Sequence, residues 1–143
     1  MASLPLGVLA VVAGTLGLYG VNQPPENSDK FLQLAQAADP DTVKLMADLV
    51  KEGRPLYVEN CAPCHGKDGL GDVGPPLDGA VNVASRGFVV GQIIFGYPEH
   101  GMPPFDFLED REIAAIATYI RNSWSNSFSL IDADRVARGR LAD

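Results

Sequence analysis

The sequence has 143 residues, of which 46% are hydrophobic and 20% charged, a composition typical of one folded domain with tails rather than of a disordered chain. Its formal net charge of −7 argues against nucleic acid as a partner, because phosphate binding needs a basic face. An acidic chain of this kind is steered towards basic or apolar docking surfaces.

The N-terminal stretch is uncharged and predominantly apolar, and it has the length of a membrane span. A helix over residues 2–21 would be about 30 Å long, close to the thickness of a bilayer core. A transmembrane anchor is therefore predicted for residues 1–22, with a cleaved signal peptide as the alternative. Signal peptides usually begin with basic residues, whereas the first one here is Lys30. Residues 23–40 are predicted to form a polar, proline-containing tether, with a short helix expected over residues 28–38.

The first helix after the tether has a clear start signal. The dipeptide Asp39-Pro40 suits an N-cap followed by a first helical residue, and apolar side chains then repeat at helical spacing. This pattern predicts a helix over residues 40–52. Gly53 and Pro55 are expected to interrupt it, with a second helical segment over residues 56–61.

The rest of the chain alternates a loop-rich stretch with helices. Glycine and proline are frequent enough between residues 66 and 104 to predict a wrap without long elements. Apolar residues recurring at i, i+3, i+4, i+7 and i+11 predict an amphipathic helix from Asp110 towards Trp124. In the tail, residues 128–143, a short helix is expected from Asp132.

Both cysteines and one of the two histidines lie in Cys61-Ala-Pro-Cys64-His65. A zinc site needs about four ligands, and adjacent Cys64 and His65 are poorly placed to share one tetrahedron. A thioredoxin-type dithiol expects a βαβ context that this pattern lacks, and a disulfide across two residues closes too short a loop to stabilise much. Covalent haem accounts for the whole motif, because two thiols three positions apart can bond the two vinyl groups and the next histidine becomes the proximal ligand.

Three possibilities exist for the second axial ligand of the haem iron: Met102, His100 or no protein ligand, which leaves the site open. Met1 lies in the predicted anchor, and Met46 lies on the apolar face of a predicted helix. Met102 stands in Gly-Met-Pro-Pro, an irregular stretch whose prolines can hold a side chain against a flat ligand. It is favoured because His/Met ligation is the electron-transfer arrangement.

Several motifs in order resemble class I, monohaem cytochrome c. They are Cys-Ala-Pro-Cys-His-Gly at 61–66, Gly-Pro-Pro-Leu at 74–77, the stretch from Gly96 to Met102-Pro103, and Leu108 to Arg121. The resemblance implies a small all-α fold over residues 41–127 in which helices surround one haem c. It further implies that the Pro75 carbonyl accepts a hydrogen bond from the second ring nitrogen of His65, with Leu77 beside the cofactor.

The same resemblance carries expectations about function. A fully ligated haem has no position for a substrate, which implies single-electron transfer rather than catalysis and no small-molecule substrate. The expected partner is an integral membrane redox complex: a terminal oxidase, a quinol-oxidising complex or a dehydrogenase. Haem attachment in the family implies a domain on the periplasmic side of a bacterial cytoplasmic membrane. A single transmembrane helix in residues 1–22 is expected to anchor it there. The protein is then a resident subunit of a respiratory or photosynthetic complex or a tethered shuttle between two complexes. The alternatives are a cytochrome subunit that passes on the substrate electrons of a membrane-bound dehydrogenase, a haem peroxidase and a sensor.

Overall fold

The computed structural model describes residues 39–141. In this range the chain forms α-helices and two short 3₁₀ helices. In chain order these are α1 (Pro40–Asn60), α2 (Ala62–His65), a 3₁₀ helix (Val81–Ala84), α3 (Arg86–Phe95), a 3₁₀ helix (Pro98–His100), α4 (Asp110–Arg121) and α5 (Ala133–Arg140). Since the described range holds no strand beyond an isolated bridge between Tyr97 and Met102, the predicted all-α class is confirmed for it.

Helix α1 is continuous, so the prediction that Gly53 and Pro55 divide it into two segments is wrong. Pro55 lacks an N–H and removes a single hydrogen bond from a helix of 21 residues. Leu49, Gly53 and Tyr57, spaced four apart, are buried along one face on both sides of the proline. Packing of this face stabilises both halves of the helix, which outweighs the missing bond.

The crossing of α1 and α4 is the most extensive helix–helix contact in the described residues. Gly53 provides the close approach, because a Cβ atom built at this position would lie 2.1 Å from the Ala115 carbonyl oxygen. Helix α4 begins with the capping box of Glu109 and Glu112 and is buried along its length. It ends at Arg121, three residues before the predicted limit, and Trp124 instead adopts a left-handed backbone with φ +57°.

Helix α3 lies within the stretch that was predicted to be a loop-rich wrap without long elements, and its ten residues make residues 86–95 more regular than expected. The Ser85 hydroxyl accepts a hydrogen bond from the Phe88 N–H as N-cap. Val89, Val90, Ile93 and Ile94 are buried, and the helix packs against α4 and α5. Burial of four large side chains, at roughly 1.5–3 kcal/mol each, exceeds the cost of about 1 kcal/mol for each of the helix's glycines.

The predicted tail helix is confirmed as α5. The Asp132 carboxylate accepts from the Arg135 N–H at 2.7 Å, which fixes the start of the helix. Its last residue, Arg140, reaches α4 and donates to the Asp110 carboxylate at 2.6 Å. The tail therefore packs on the domain instead of extending from it.

Arg121 joins three parts of the fold although its side chain is only 2% exposed. Its guanidinium donates to the carbonyls of Val83 and Ala84 and, at 3.1 Å, to the carbonyl of Ser129. Burial lowers the pKa of Arg121. The charge is stabilised by these carbonyl dipoles, which connect the end of α4 to the 3₁₀ helix before α3 and to the tail.

No helix within residues 39–141 is long and apolar enough to cross a membrane. The anchor predicted for residues 1–22 and the short helix expected over residues 28–38 lie outside the described range.

Candidate haem site

The Cys61–His65 motif lies where α1 passes into the short helix α2. Cys61, Cys64 and His65 follow i, i+3, i+4 spacing on helical backbone and therefore face the same side. Both cysteines are free; Cys61 is buried and Cys64 is exposed. Burial, with a smaller contribution from Cys64, raises the pKa of the Cys61 thiol to about 12. Cys61 therefore lacks the lowered pKa that a nucleophilic cysteine needs.

His65 is held in one tautomer. Its Nδ1 lies 2.8 Å from the Pro75 carbonyl oxygen, so the hydrogen bond expected between these residues is present. A carbonyl can only accept, which means that Nδ1 carries the hydrogen. In the neutral ring Nε2 then keeps its lone pair, and this is the nitrogen that can bind a metal.

The loop that carries Pro75 is tied to the motif by backbone hydrogen bonds. The Cys64 carbonyl accepts from the N–H groups of Asp72 (3.1 Å) and Gly74 (2.8 Å). Gly74 also lies against the imidazole, since a Cβ atom there would be 3.0 Å from Cε1 of His65. The loop can therefore approach the histidine closely enough for the Pro75 bond.

Met102 lies on a second loop, which begins at the end of α3. The backbone of Met102 pairs with Tyr97, at 2.8 Å from the Tyr97 N–H to the Met102 carbonyl and 3.2 Å in the reverse direction. Gly101, at φ +82°, allows the turn between them. His100 is exposed and stacks on the Tyr97 ring at a centroid distance of 4.1 Å. The half-buried Met102 is thus held by its backbone, while His100 is engaged on the surface.

Comparison with protein families decides what this arrangement is. Residues 48–120 match the family described as cytochrome c oxidase, cbb3-type, subunit III. The chain belongs to this family of c-type cytochromes. The interpretation as a class I, monohaem cytochrome c is thereby confirmed, and with it the single covalent haem c.

This cytochrome also has matches among solved structures. It is similar to the crystal structure of cytochrome cL from the marine methylotrophic bacterium Methylophaga aminisulfidivorans MPT, with 24% sequence identity and a TM-score of 0.49. The match covers 86% of this chain and 77% of that one. No curated protein matches the sequence.

The residues of the cytochrome fit a flat apolar cofactor. Most of the exposed large hydrophobic side chains among residues 39–141 lie between residues 70 and 107, in the stretch that separates the Cys61–His65 motif from the end of the Met102 loop. They are Leu70, Val73, Val81, Phe88, Phe95, Tyr97 and Phe107. A haem macrocycle can cover such side chains, which would otherwise be exposed to water. Zinc lacks a comparable ligand set, because no group of three or more His, Cys, Asp or Glu residues within 39–141 could hold a metal ion.

Leu77, the remaining predicted site residue, is half-buried and packs against the hydrophobic core. Its carbonyl accepts a hydrogen bond from Nδ2 of Asn126 at 3.0 Å. The sequence prediction did not include Asn126, although it is buried and contacts the same loop as Pro75. A polar residue soon after the end of an apolar helix was the available signal, but its partners lie 47 and 49 positions away.

Tyr57 attaches helix α1 to the residue that follows the motif. Its side chain is fully buried and its hydroxyl donates to the Gly66 carbonyl at 2.6 Å. Burial raises the pKa of Tyr57, so the phenol stays protonated and continues to donate. Tyr57 therefore belongs to the hydrophobic core.

Removal of this hydroxyl has a modest expected effect. Tyr57→Phe should lower the free energy of unfolding by about 0.5–1.5 kcal/mol, because the part-buried Gly66 carbonyl loses its donor while the ring is kept. Chemical denaturation followed by circular dichroism measures the change. Tyr97→Phe is the matched control, since the Tyr97 ring is 47% exposed and should be nearly neutral. Equal stabilities for the two variants would contradict the assignment.

Proposed function

We propose that this protein is a membrane-anchored monohaem cytochrome c that transfers single electrons as a subunit of a respiratory membrane complex. The observation that carries the proposal is the Pro75–His65 hydrogen bond at 2.8 Å, which leaves Nε2 of His65 free to bind iron. Family membership supports the electron-carrier role. The uncharged run of residues 2–21 supports the single-pass anchor.

Each site residue has a role in this proposal. Cys61 and Cys64 would bond the haem vinyl groups, and His65 and Met102 would ligate its iron. Pro75 orients His65, and Leu77 packs beside the cofactor. Bound haem supplies a one-electron change between ferric and ferrous iron. The chain's own contribution would be to hold the two ligands in place and to keep the hydrogen on Nδ1 of His65, so that Nε2 faces the iron.

The proposed location is the bacterial cytoplasmic membrane, with the haem domain on the periplasmic side. Among the expected partners, a terminal oxidase is favoured, because the description of the family names a subunit of one. Extraction of the tagged full-length chain in mild detergent should copurify oxidase subunits. Copurification with dehydrogenase or quinol-oxidising subunits would still support a role in electron transfer, but it would identify a different partner complex. Recovery in the soluble fraction with a shortened N-terminus would contradict the anchor.

Carbon monoxide distinguishes an electron carrier from a haem enzyme. A ferrous iron that holds both His65 and Met102 has no free position, so the Soret spectrum of the reduced protein should not change under carbon monoxide at neutral pH. Visible absorption spectroscopy is sufficient as the measurement. A stoichiometric carbonyl complex in the wild-type protein would instead favour a peroxidase or sensor with an open or labile distal side.

A further inference from the structure

The backbone of Trp124 is strained at a point where nothing in the proposed electron transfer requires it. With φ +57°, it is the one non-glycine residue in the left-handed region among those described. Such a conformation costs on the order of 1 kcal/mol or more and persists only where the surroundings impose it. The contacts of residues 124–126 show what imposes it here.

Trp124 itself packs on the start of the loop that follows the haem-binding motif. A Cβ atom at Gly69 would lie 2.6 Å from Cζ3 of the indole, so only glycine fits beneath the ring. The indole also packs against Tyr57 and Tyr119 in edge-on arrangements, with ring centroids 5.4 and 5.8 Å away. The indole therefore holds Gly69 against the aromatic part of the core.

Ser125 and Asn126 bind the end of the same loop. Asp78 accepts hydrogen bonds from the Ser125 N–H at 2.9 Å and from its hydroxyl, and these bonds lower the pKa of Asp78. Asn126 donates to the Leu77 carbonyl at 3.0 Å and accepts from the Gly79 N–H at 3.1 Å. Its amide also donates to the Ile120 carbonyl at 2.9 Å, which fixes it to the end of α4.

The two ends of the loop are joined to each other as well. The Gly69 carbonyl accepts from the N–H groups of Leu77 (2.8 Å) and Asp78 (3.0 Å). Residues 124–126 therefore contact both sides of a closed loop whose inner turn carries Pro75. Only Pro76 separates Pro75 from Leu77, so a shift of the Leu77–Gly79 edge changes the distance from the Pro75 carbonyl to His65.

We propose that Trp124, Ser125 and Asn126 form a positioning clamp that sets the strength of the Pro75–His65 hydrogen bond and, through it, the reduction potential of the haem. The proposal rests on the assignment of His65 as an axial ligand. A hydrogen bond from Nδ1 raises the basicity of the ligating nitrogen, and a more basic ligand favours ferric over ferrous iron. Loosening the clamp weakens the bond and raises the potential.

Asn126→Ala is the principal test, in the full-length holoprotein. We expect a roughly threefold shift in the ferric/ferrous preference, which is about 28 mV upward at 59 mV per tenfold change for one electron. The His65 Nδ1 proton should exchange faster with solvent in the ¹H NMR spectrum. The shift in potential does not follow from a loss of global stability alone, whereas the exchange rate has to be compared with that of a control variant of similar stability.

Asn122→Ala is the matched control. The Asn122 side chain also donates at the end of α4, to the Thr118 carbonyl at 2.9 Å, but makes no bond to the loop. It should lower stability without moving the potential. If Asn126→Ala does not retain haem, Asn126→Asp serves instead, because it keeps the acceptor for Gly79 and loses both donated bonds.

The outcomes separate this inference from the proposed function. A wild-type potential and proton exchange rate in the Asn126 variants, or an equal shift in Asn122→Ala, would overturn the clamp. If the wild-type protein fails to titrate as a reversible one-electron couple, the proposed function itself is wrong.

Discussion

Gly53→Ala is expected to destabilise the protein by about 3 kcal/mol or more, at the upper end of the range for overpacked cores. The added methyl group would lie 2.1 Å from the Ala115 carbonyl oxygen and 2.5 Å from its carbonyl carbon. Both are backbone atoms, so a change of rotamer cannot relieve the clash. The two helices must separate, and the largest interhelical contact in the described residues is lost along its length.

Thermal unfolding of the holoprotein, followed by circular dichroism, measures this effect. At about 4–8 °C per kcal/mol for a domain of this size, the midpoint should fall by more than about 12 °C. Gly91→Ala is the matched control, because Gly91 is also inside a helix and a Cβ atom there meets nothing within 4 Å. Since alanine is the better helix former, this control should be stabilised by about 0.5–1 kcal/mol. An unchanged midpoint for Gly53→Ala would contradict the close crossing of α1 and α4.

Features that depend on neighbouring residues could be predicted from the sequence. Asp39 and Asp132 cap the helices that follow them, because each cap needs only an N–H group three residues further on. The spacing of Cys61, Cys64 and His65 is also local. Covalent haem could be inferred from it before any tertiary contact was known.

Features that depend on tertiary packing could not be predicted from the sequence. Helix α3 contains glycines that predict a loop, and it is stabilised by burying residues such as Ile93 and Ile94 against helices distant in sequence. The continuity of α1 through Pro55 has the same origin, since burial of Tyr57 holds the segment beyond the proline. Local propensity favours a break in both places, and tertiary burial outweighs it.

The candidate site also contains one contact that could be expected from the sequence and others that could not. The Pro75–His65 bond spans ten residues and was expected through the resemblance to a family with this loop. The bonds of Asn126 to Leu77 and Gly79 span almost fifty residues. No periodicity or spacing marks them, because an asparagine after a helix end is also common in ordinary turns.

Met102→Ala is expected to have the largest effect on function. A thioether is a soft ligand that raises the potential of a haem when it is paired with histidine. Its removal should lower the midpoint potential by on the order of 0.1 V, within the ~0.8 V over which axial ligands set haem potentials. The ferric protein should lose its weak far-red charge-transfer band, and the ferrous protein should bind carbon monoxide.

Two further variants identify the ligand. Met46→Ala removes the other methionine of the described residues, which is half-buried on α1, and should cost stability without changing the potential or the far-red band. His100→Ala removes the alternative ligand and should also leave both unchanged, because His100 is exposed against Tyr97. If His100→Ala gives the low potential and the carbonyl complex while Met102→Ala retains the wild-type spectrum, the distal ligand is His100. If neither variant changes either property, the iron has no protein ligand on its distal side.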